Sequence, residues 1–439
     1  MTKLFTLQFL LLPSTLATVL TNKFTALSFN VAGLPAILNS NDVPGDKATN
    51  TEIIGERFNQ YVYDLIHVQE DFNYHAYLYS TDTHPYRTAT SGGAAFGSGL
   101  NTLSNYTWID FERVKWDSCS DASGADCLTP KGFTFMRVRL EEGVYVDAVN
   151  LHADAGSEDD DVSTRSANLQ QVADYIATSS TGNAVLVFGD TNARYTSANE
   201  NIRVFETQEN MTNPWVELIL DGQEPVLGTD AIVCENPSTT ETCETVDKIF
   251  YRGSRALTLT ATSWSYEDDK FLNNGSILSD HNPISSEFVW TRSEEFRQSD
   301  LFGGPHGTWF NPLQTLPTPS TTHLKKITLH GNARLDSISL TLSTGEIYTH
   351  GGTGGTLSEL TLAEGESWTQ TRLCQGQKDA HTRIFYLAIT TSAGNTLAAG
   401  TETEDCTEYA ADEGWGVLGV YGRAGDEVDR LGVVYGVLG

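Results

Sequence analysis

The chain has 439 residues, more than one ordinary domain holds, and its 39% hydrophobic and 19% charged residues exclude a disordered protein. A formal net charge of -30 argues against loose, charge-driven binding to nucleic acid or to anionic membranes, both of which need basic surface. An enzyme acting on a phosphodiester stays open, because a divalent cation can supply positive charge locally. At the N-terminus, Lys3 is a short basic start, Leu4 to Leu12 is mostly apolar, and Ser14, Thr15 and Ala17 are small. This pattern predicts an export signal over residues 1–20. No run reaches the roughly 18 apolar residues of a membrane span, so no transmembrane segment is expected. Phe24 to Val31 reads as a buried strand, Glu52 to Ile66 as a helix, and Leu65 to Val68 as a second strand. Gly143 to Leu151 is strand-like, Ser166 to Ile176 helical, and Ala184 to Phe188 a short apolar strand. Ile249 to Tyr251 and Ile284 to Trp290 complete an α/β pattern.

The texture changes near residue 298. Gly and Thr become frequent and short strands recur at Lys325 to Leu329, Ser337 to Leu342, Ile384 to Thr390, Val417 to Tyr421 and Leu431 to Val437, which predicts an all-β second domain. The expected organisation is a signal at 1–20, an α/β domain at 22–295 and a β domain at 298–439. Six cysteines suit an exported protein and fall into the pairs Cys119 with Cys127, Cys234 with Cys243 and Cys374 with Cys406, one of fifteen possible pairings. Asn105, Asn210 and Asn274 each begin a glycosylation acceptor tripeptide.

Five polar motifs stand at the ends of apolar runs in the first domain: Ser28-Phe29-Asn30-Val31, His67-Val68-Gln69-Glu70, Asn150-Leu151-His152, Gly189-Asp190-Thr191-Asn192 and Ser279-Asp280-His281-Asn282-Pro283. Strand ends are where a rigid scaffold presents a site. A hard divalent cation prefers carboxylate and amide oxygens, which Glu70 and Asn30 offer. Charge developing on phosphate oxygens needs donors, which His152 and Asn192 offer. A histidine oriented by a carboxylate can deprotonate water at neutral pH, and His281 fits that part.

In this order the set resembles the endonuclease/exonuclease/phosphatase superfamily, over roughly residues 22 to 295. The resemblance implies a four-layer α/β sandwich and Mg²⁺ (or another divalent cation such as Mn²⁺) held by Asn30, Glu70 and Asp280. It implies His152, Asp190, Asn192, Asp247 and His281 as catalytic groups, Asp247 being matched through Val246-Asp247-Lys248-Ile249-Phe250. Thr191 is a departure from the commoner phenylalanine of Gly-Asp-Phe-Asn. Lys131-Gly132-Phe133 and the stretch from His152 through Arg165 to Gln171 are similar to the sphingomyelinase branch of that superfamily, which favours a phospholipid headgroup. The acidic run Glu158 to Asp161 reads as repelling DNA more than a zwitterionic headgroup. A secreted deoxyribonuclease I-like endonuclease acting on nucleic acid is the alternative, and a lectin carrying an inactive enzyme scaffold is the other.

Leu301 to Thr308 opens the second domain with a glycine-rich turn, and Gly422 to Gly432 is a second glycine-bearing loop near its end. Together they resemble the jacalin-related lectins, which implies a β-prism. It also implies a site for a carbohydrate or glycan-bearing surface formed by Gly304, Gly425, the backbone amides of Asp426 and Glu427, and the Asp429 carboxylate. Two acids stand where many members carry an aromatic, which leaves the sugar open.

Overall fold

A computed structural model of the chain describes residues 20–37, 41–91, 97–123 and 126–439, so most of the expected export signal lies outside the described residues. The first part is built on two sheets. One is six-stranded, in the order Leu257–Tyr266, Ile284–Arg292, Thr21–Asn30, Leu65–Gln69, Asn101–Ser104 and Tyr86–Arg87. The other is five-stranded, in the order Thr107–Lys115, Gly132–Glu141, Val144–His152, Ala184–Asp190 and Asp247–Arg252. The central strands are buried on both faces, as their continuous Val, Leu and Phe runs require.

The sheets face each other across one apolar core that holds Phe24, Phe135, Phe188 and Phe288. Helices Lys47–Tyr61 and His75–Thr81 cover the outer face of the first sheet, packing Ile54, Phe58 and Leu78 against Leu27, Phe29 and Ile66. Helix Asp159–Ser179 covers the second sheet with Leu169, Val172 and Ile176. The result is the four-layer α/β sandwich expected from the sequence.

The second part is all β. Three sheets surround one core that includes Trp368, Ile338, Leu387 and Val433. Their central pairs are Leu324–Gly331 with Leu335–Leu342, Trp368–Lys378 with His381–Thr391, and Trp415–Ala424 with Val428–Val437. Strand Phe296–Gln298 pairs with Val428–Val437 and so belongs to the prism. Leu313, inside the short turn Pro312–Gln314, and Leu316, between it and the turn Pro319–Thr321, drop into this core.

All three expected disulfides form: Cys119–Cys127, Cys234–Cys243 and Cys374–Cys406. No described helix is long and apolar enough to cross a membrane. Asn105, Asn210 and Asn274 are all exposed.

The two parts meet at the end of the second sheet where strand Val144–His152 begins. Asp300 accepts from Arg139 Nη2 at 2.7 Å, Gly143 N at 2.9 Å and Tyr145 Oη at 3.0 Å. The Trp309 indole lies face-on to the Arg137 guanidinium at 3.5 Å and donates to Thr181 O at 3.1 Å. Asn311 Nδ2 donates to Asn183 Oδ1 at 2.9 Å.

Candidate active site

Register assembles the site. Strands Val144–His152 and Ala184–Asp190 run parallel with His152 beside Asp190, and the antiparallel Asp247–Arg252 strand places Asp247 beside Asp190. One row across three strands therefore carries His152, Asp190 and Asp247. On the facing sheet, Thr21–Asn30 and Leu65–Gln69 are parallel with Asn30 beside Gln69, so Asn30 and Glu70 emerge at the same end. The two sheets are tied just beneath: Gln69 Nε2 donates to Asn150 Oδ1 at 2.8 Å, and Asn150 Nδ2 donates to Val68 O at 3.1 Å.

Asn30 is fully buried and links the two sides. Its Nδ2 donates to Asp190 Oδ2 at 3.0 Å and to Glu70 Oε1 at 3.3 Å, and it lies 3.5 Å from His281 Nε2. Its Oδ1 accepts from Ala32 N at 3.1 Å. Glu70 has φ 55, and the chain at Gly33 passes so near its carbonyl that a Cβ on Gly33 would stand 2.2 Å from Glu70 O. Burial raises the Glu70 carboxyl above its ordinary pKa, with Asp280 adding to the rise and His281, Lys131 and Asn30 opposing it. Its Oε2 is a buried acceptor with no hydrogen bond among the described residues.

His281 Nδ1 lies 2.8 Å from Asp247 Oδ2, and its Nε2 lies 3.7 Å from Asp190 Oδ2. Burial acts to lower the His281 pKa, but the carboxylates of Asp247, Asp190 and Asp280 outweigh it and hold the ring well above its ordinary value. Thr245 Oγ1 donates to the same Asp247 oxygen at 3.1 Å and fixes that carboxylate. The ligand atoms of Asp190, Asp247 and His281 lie within 4.8 Å of one another, a spacing that also suits a metal ion. Asp190 Oδ1 accepts from Asn192 N at 3.0 Å, and Asn192, at φ 51, donates its side chain to Ala153 O at 3.1 Å. Asp280 is exposed on the rim and accepts from Asn41 Nδ2 at 2.8 Å.

His152 is 2% exposed and neutral, its pKa pulled down to about 3 by burial and by the neighbouring Lys131 ammonium. Lys131 Nζ stands 3.2 Å from His152 Nε2 and pairs with Asp126. Lys131 was not among the expected site residues; its signal was a lysine directly before the buried, mostly apolar start of strand Gly132–Glu141. The loop after His152 is held from helix Asp159–Ser179: Arg165 Nη1 donates to Asp154 O at 3.1 Å and Gly156 O at 3.0 Å, and Asn168 Oδ1 accepts from Asp154 N at 3.0 Å. The acidic run at 158–161 is the first turn of that helix, where negative charge suits the helix dipole. Asp161 is buried and accepts from Ser120 Oγ at 2.6 Å, so this member of the run serves structure rather than repulsion.

In the second part, the glycine-rich turn and the last hairpin converge as expected. Gly304 N donates to Asp429 O at 2.8 Å, and a Cβ on Gly307 (φ 72) would stand 2.5 Å from Asp429 Oδ2. Gly425 and Asp426 are exposed at the hairpin tip. Glu427 accepts from Arg334 Nη2 at 2.6 Å and Nε at 2.8 Å and from Lys378 Nζ at 2.9 Å. The Arg334 hydrogen bonds lead the causes that pull its pKa down to about 2. Asp429 is fully buried, its charge is met by Arg383, and neither of its oxygens accepts a hydrogen bond among the described residues.

Comparison with known proteins agrees with this division. The family model "Endonuclease/Exonuclease/phosphatase family 2" matches residues 42–226, and "Jacalin-like lectin domain" matches 299–434. A sphingomyelinase of Mycobacterium tuberculosis is 38% identical over 268 residues, which is 59% of this chain and 51% of that protein. The chain thus spans about half the length of the curated relatives it matches. The structure of sphingomyelinase C from Streptomyces griseocarneus aligns with 61% of this chain and 99% of its own, at 16% identity and TM-score 0.42. A Malaysian banana lectin aligns with 32% of this chain and 97% of its own, at 22% identity and TM-score 0.29. Residues 42–226 thus match the endonuclease/exonuclease/phosphatase family 2 model, residues 299–434 match the jacalin-like lectin model, and the first part is similar in sequence to proteins named sphingomyelinase.

Proposed function

We propose that the protein is an exported, divalent-metal-dependent phosphodiesterase that releases the headgroup of a sphingomyelin-type lipid and is placed on glycan-bearing surfaces by its lectin domain. The observation that carries this reading is the convergence of His152, Asp190, Asp247 and His281 on Asn30 and Glu70 at one end of two facing sheets. Glu70 and Asn30 would hold the ion. The donor set is the oxygen type that Mg²⁺ takes, and Glu70 brings a buried carboxylate oxygen without a hydrogen bond. When bound, the ion supplies positive charge beside the phosphate and offsets the charge gathering on its oxygens.

The chain's own residues do the rest. Asp247 fixes the His281 ring so that Nε2 faces Asp190; the ring, neutral once a bound cation offsets the carboxylates that hold it protonated, would then take the proton of the attacking water. Asp190, 3.7 Å from that nitrogen, orients the water. Lys131 Nζ donates to His152 Nε2, which lies 3.5 Å from Asp190 Oδ2, and the Lys131–His152 pair with Asn192 stabilises phosphate charge in the transition state. Asp280, on the rim, supports the ion from outside.

The net charge of -30 favours a lipid headgroup over DNA, as does the 38% identity to a protein named sphingomyelinase. The disulfides and the apolar N-terminal run support export. The glycine turn 303–307, which packs on Asp429, and the exposed hairpin tip at Gly425 and Asp426 support carbohydrate binding. The test is side-by-side hydrolysis of sphingomyelin vesicles and plasmid DNA with Mg²⁺ and with chelator. Phosphocholine release that stops with chelator is expected; plasmid nicking without phosphocholine release would assign the nuclease activity instead.

A further inference from the structure

The hairpin that ends in the sugar loop carries two arginines just inside its tip, and both reach into the other domain. Arg423 and Arg430 are direct cross-strand partners, each 7% exposed. Two like charges placed opposite each other on a sheet repel, and burial sharpens the repulsion. Their shared counter-charge is Asp110 of the phosphodiesterase domain. It sits in a bulge of strand Thr107–Lys115 at φ 57, a backbone setting that aspartate tolerates well. Asp110 Oδ2 accepts from Arg423 Nε at 3.1 Å and Arg137 Nη1 at 2.7 Å, and Oδ1 accepts from Arg430 Nη1. Burial alone would raise the Asp110 pKa, but the guanidiniums of Arg137, Arg430 and Arg423 hold it below the usual carboxylate range.

The same two arginines hold the other loop of the sugar site. Arg430 Nε and Nη2 donate to Gly303 O at 3.2 and 3.1 Å, and Arg423 Nη1 donates to Gly307 O at 3.2 Å. These carbonyls lie at the two ends of the glycine turn that packs on Asp429. One carboxylate from the enzyme domain therefore fixes two arginines, and each arginine joins the 423–430 hairpin to one end of the 303–307 turn.

We infer that Asp110 is a positioning residue for carbohydrate binding: the phosphodiesterase domain completes the lectin site by setting the geometry of both of its loops. The inference rests on the carbohydrate-binding reading above. Without Asp110, Arg423 and Arg430 keep their mutual repulsion and lose its cancellation, so the turn and the hairpin separate. A site that holds its binding geometry a tenth of the time binds about ten times more weakly.

The test uses the full chain, as wild type, Asp110→Asn, Asp110→Glu and Arg423→Met, with binding to immobilised mannose and galactose read beside amide exchange and phosphodiester hydrolysis. Asp110→Asn is expected to weaken sugar binding about tenfold or more and to speed exchange over residues 303–307 and 424–428. Asp110→Glu keeps the charge and is expected to retain most of the affinity. Arg423→Met, which leaves Asp110 compensated by Arg137 and Arg430, is expected to speed exchange at the Gly307 end alone. Hydrolysis is expected to stay at the wild-type rate. Asp110 lies level with Arg137 and Asp147, and Asp147 is five residues from His152 along one strand, about 17 Å. Unchanged exchange in both loops of a folded Asp110→Asn chain overturns the inference whether or not a sugar binds, as does equal sugar affinity. A wild type that binds neither hexose while the exchange prediction holds would overturn the carbohydrate reading for these sugars and leave the brace established.

Discussion

Replacing Asp247 by Asn isolates the orienting role of one carboxylate. Asp247 is 2% exposed and sits 2.8 Å from His281 Nδ1, while Thr245 Oγ1 still anchors the isosteric amide. A hydrogen bond involving a charged group is worth about 1.5–3 kcal/mol, and each 1.36 kcal/mol is tenfold in rate, so kcat should fall roughly 10- to 150-fold. His281→Ala removes the base itself and should cost about 10²- to 10⁴-fold. Phosphocholine release from sphingomyelin vesicles at saturating Mg²⁺ measures both, with thermal melting to confirm folding. KM should barely change, because Asp247 is placed behind the histidine rather than against the headgroup. A folded Asp247→Asn enzyme within threefold of wild type would refute the dyad.

Lys131→Met should lower kcat about 10²- to 10³-fold by removing a buried donor beside His152, read in the same assay. Mg²⁺ at ten times its Kd should stabilise the wild type by about 1.4 kcal/mol in thermal melts, and Glu70→Gln should abolish most of that shift. Burial raises Glu206 to about 7 beside the Tyr195 hydroxyl, which donates to it at 2.6 Å. The folded state thus favours the protonated acid, and stability is lost as pH rises from the ordinary 4.5 to about 7. Glu206→Gln should therefore gain in melting temperature over wild type across that window and hold the gain above it. Trp309→Ala should cost about 3–5 kcal/mol in denaturant unfolding, because it removes a buried indole that caps Arg137 at the junction.

The strands that carry the site were legible because they are buried on both faces and end abruptly in polar residues, as in Val187-Phe188-Gly189-Asp190. Asn30, Glu70, His152, Asp190, Asp247 and His281 all meet where the motifs suggested. What the chain order hides is register: nothing local to Lys131 says that its ammonium reaches His152, 21 residues away. Helix boundaries moved for a similar reason. The helix expected from Ser166 begins at Asp159, because its first turn is acidic and capped rather than apolar. The expected helix at Glu52 to Ile66 lies at Lys47–Tyr61, ended by Val62 in the left-handed region, so that Leu65 and Ile66 enter the sheet. In the lectin domain, the loop acids were visible but their partners were not. Arg334, Lys378 and Arg383 come from distant parts of the prism to engage Glu427 and Asp429. Asp110 gave no sign at all, since its importance comes from residues more than three hundred positions away.

Between the last strand of the enzyme domain, Ile284–Arg292, and the first of the prism, Phe296–Gln298, only Ser293, Glu294 and Glu295 intervene, and Ser293 Oγ accepts from Glu295 N at 3.1 Å. So short and knotted a connection cannot behave as a leash that lets one module search while the other stays moored. The two parts are held instead like a caliper with its jaws locked. On the function proposed above, a glycan taken at one jaw would set the height and tilt at which the other meets its surroundings, and anchors at the wrong spacing would hold the enzyme in place and idle.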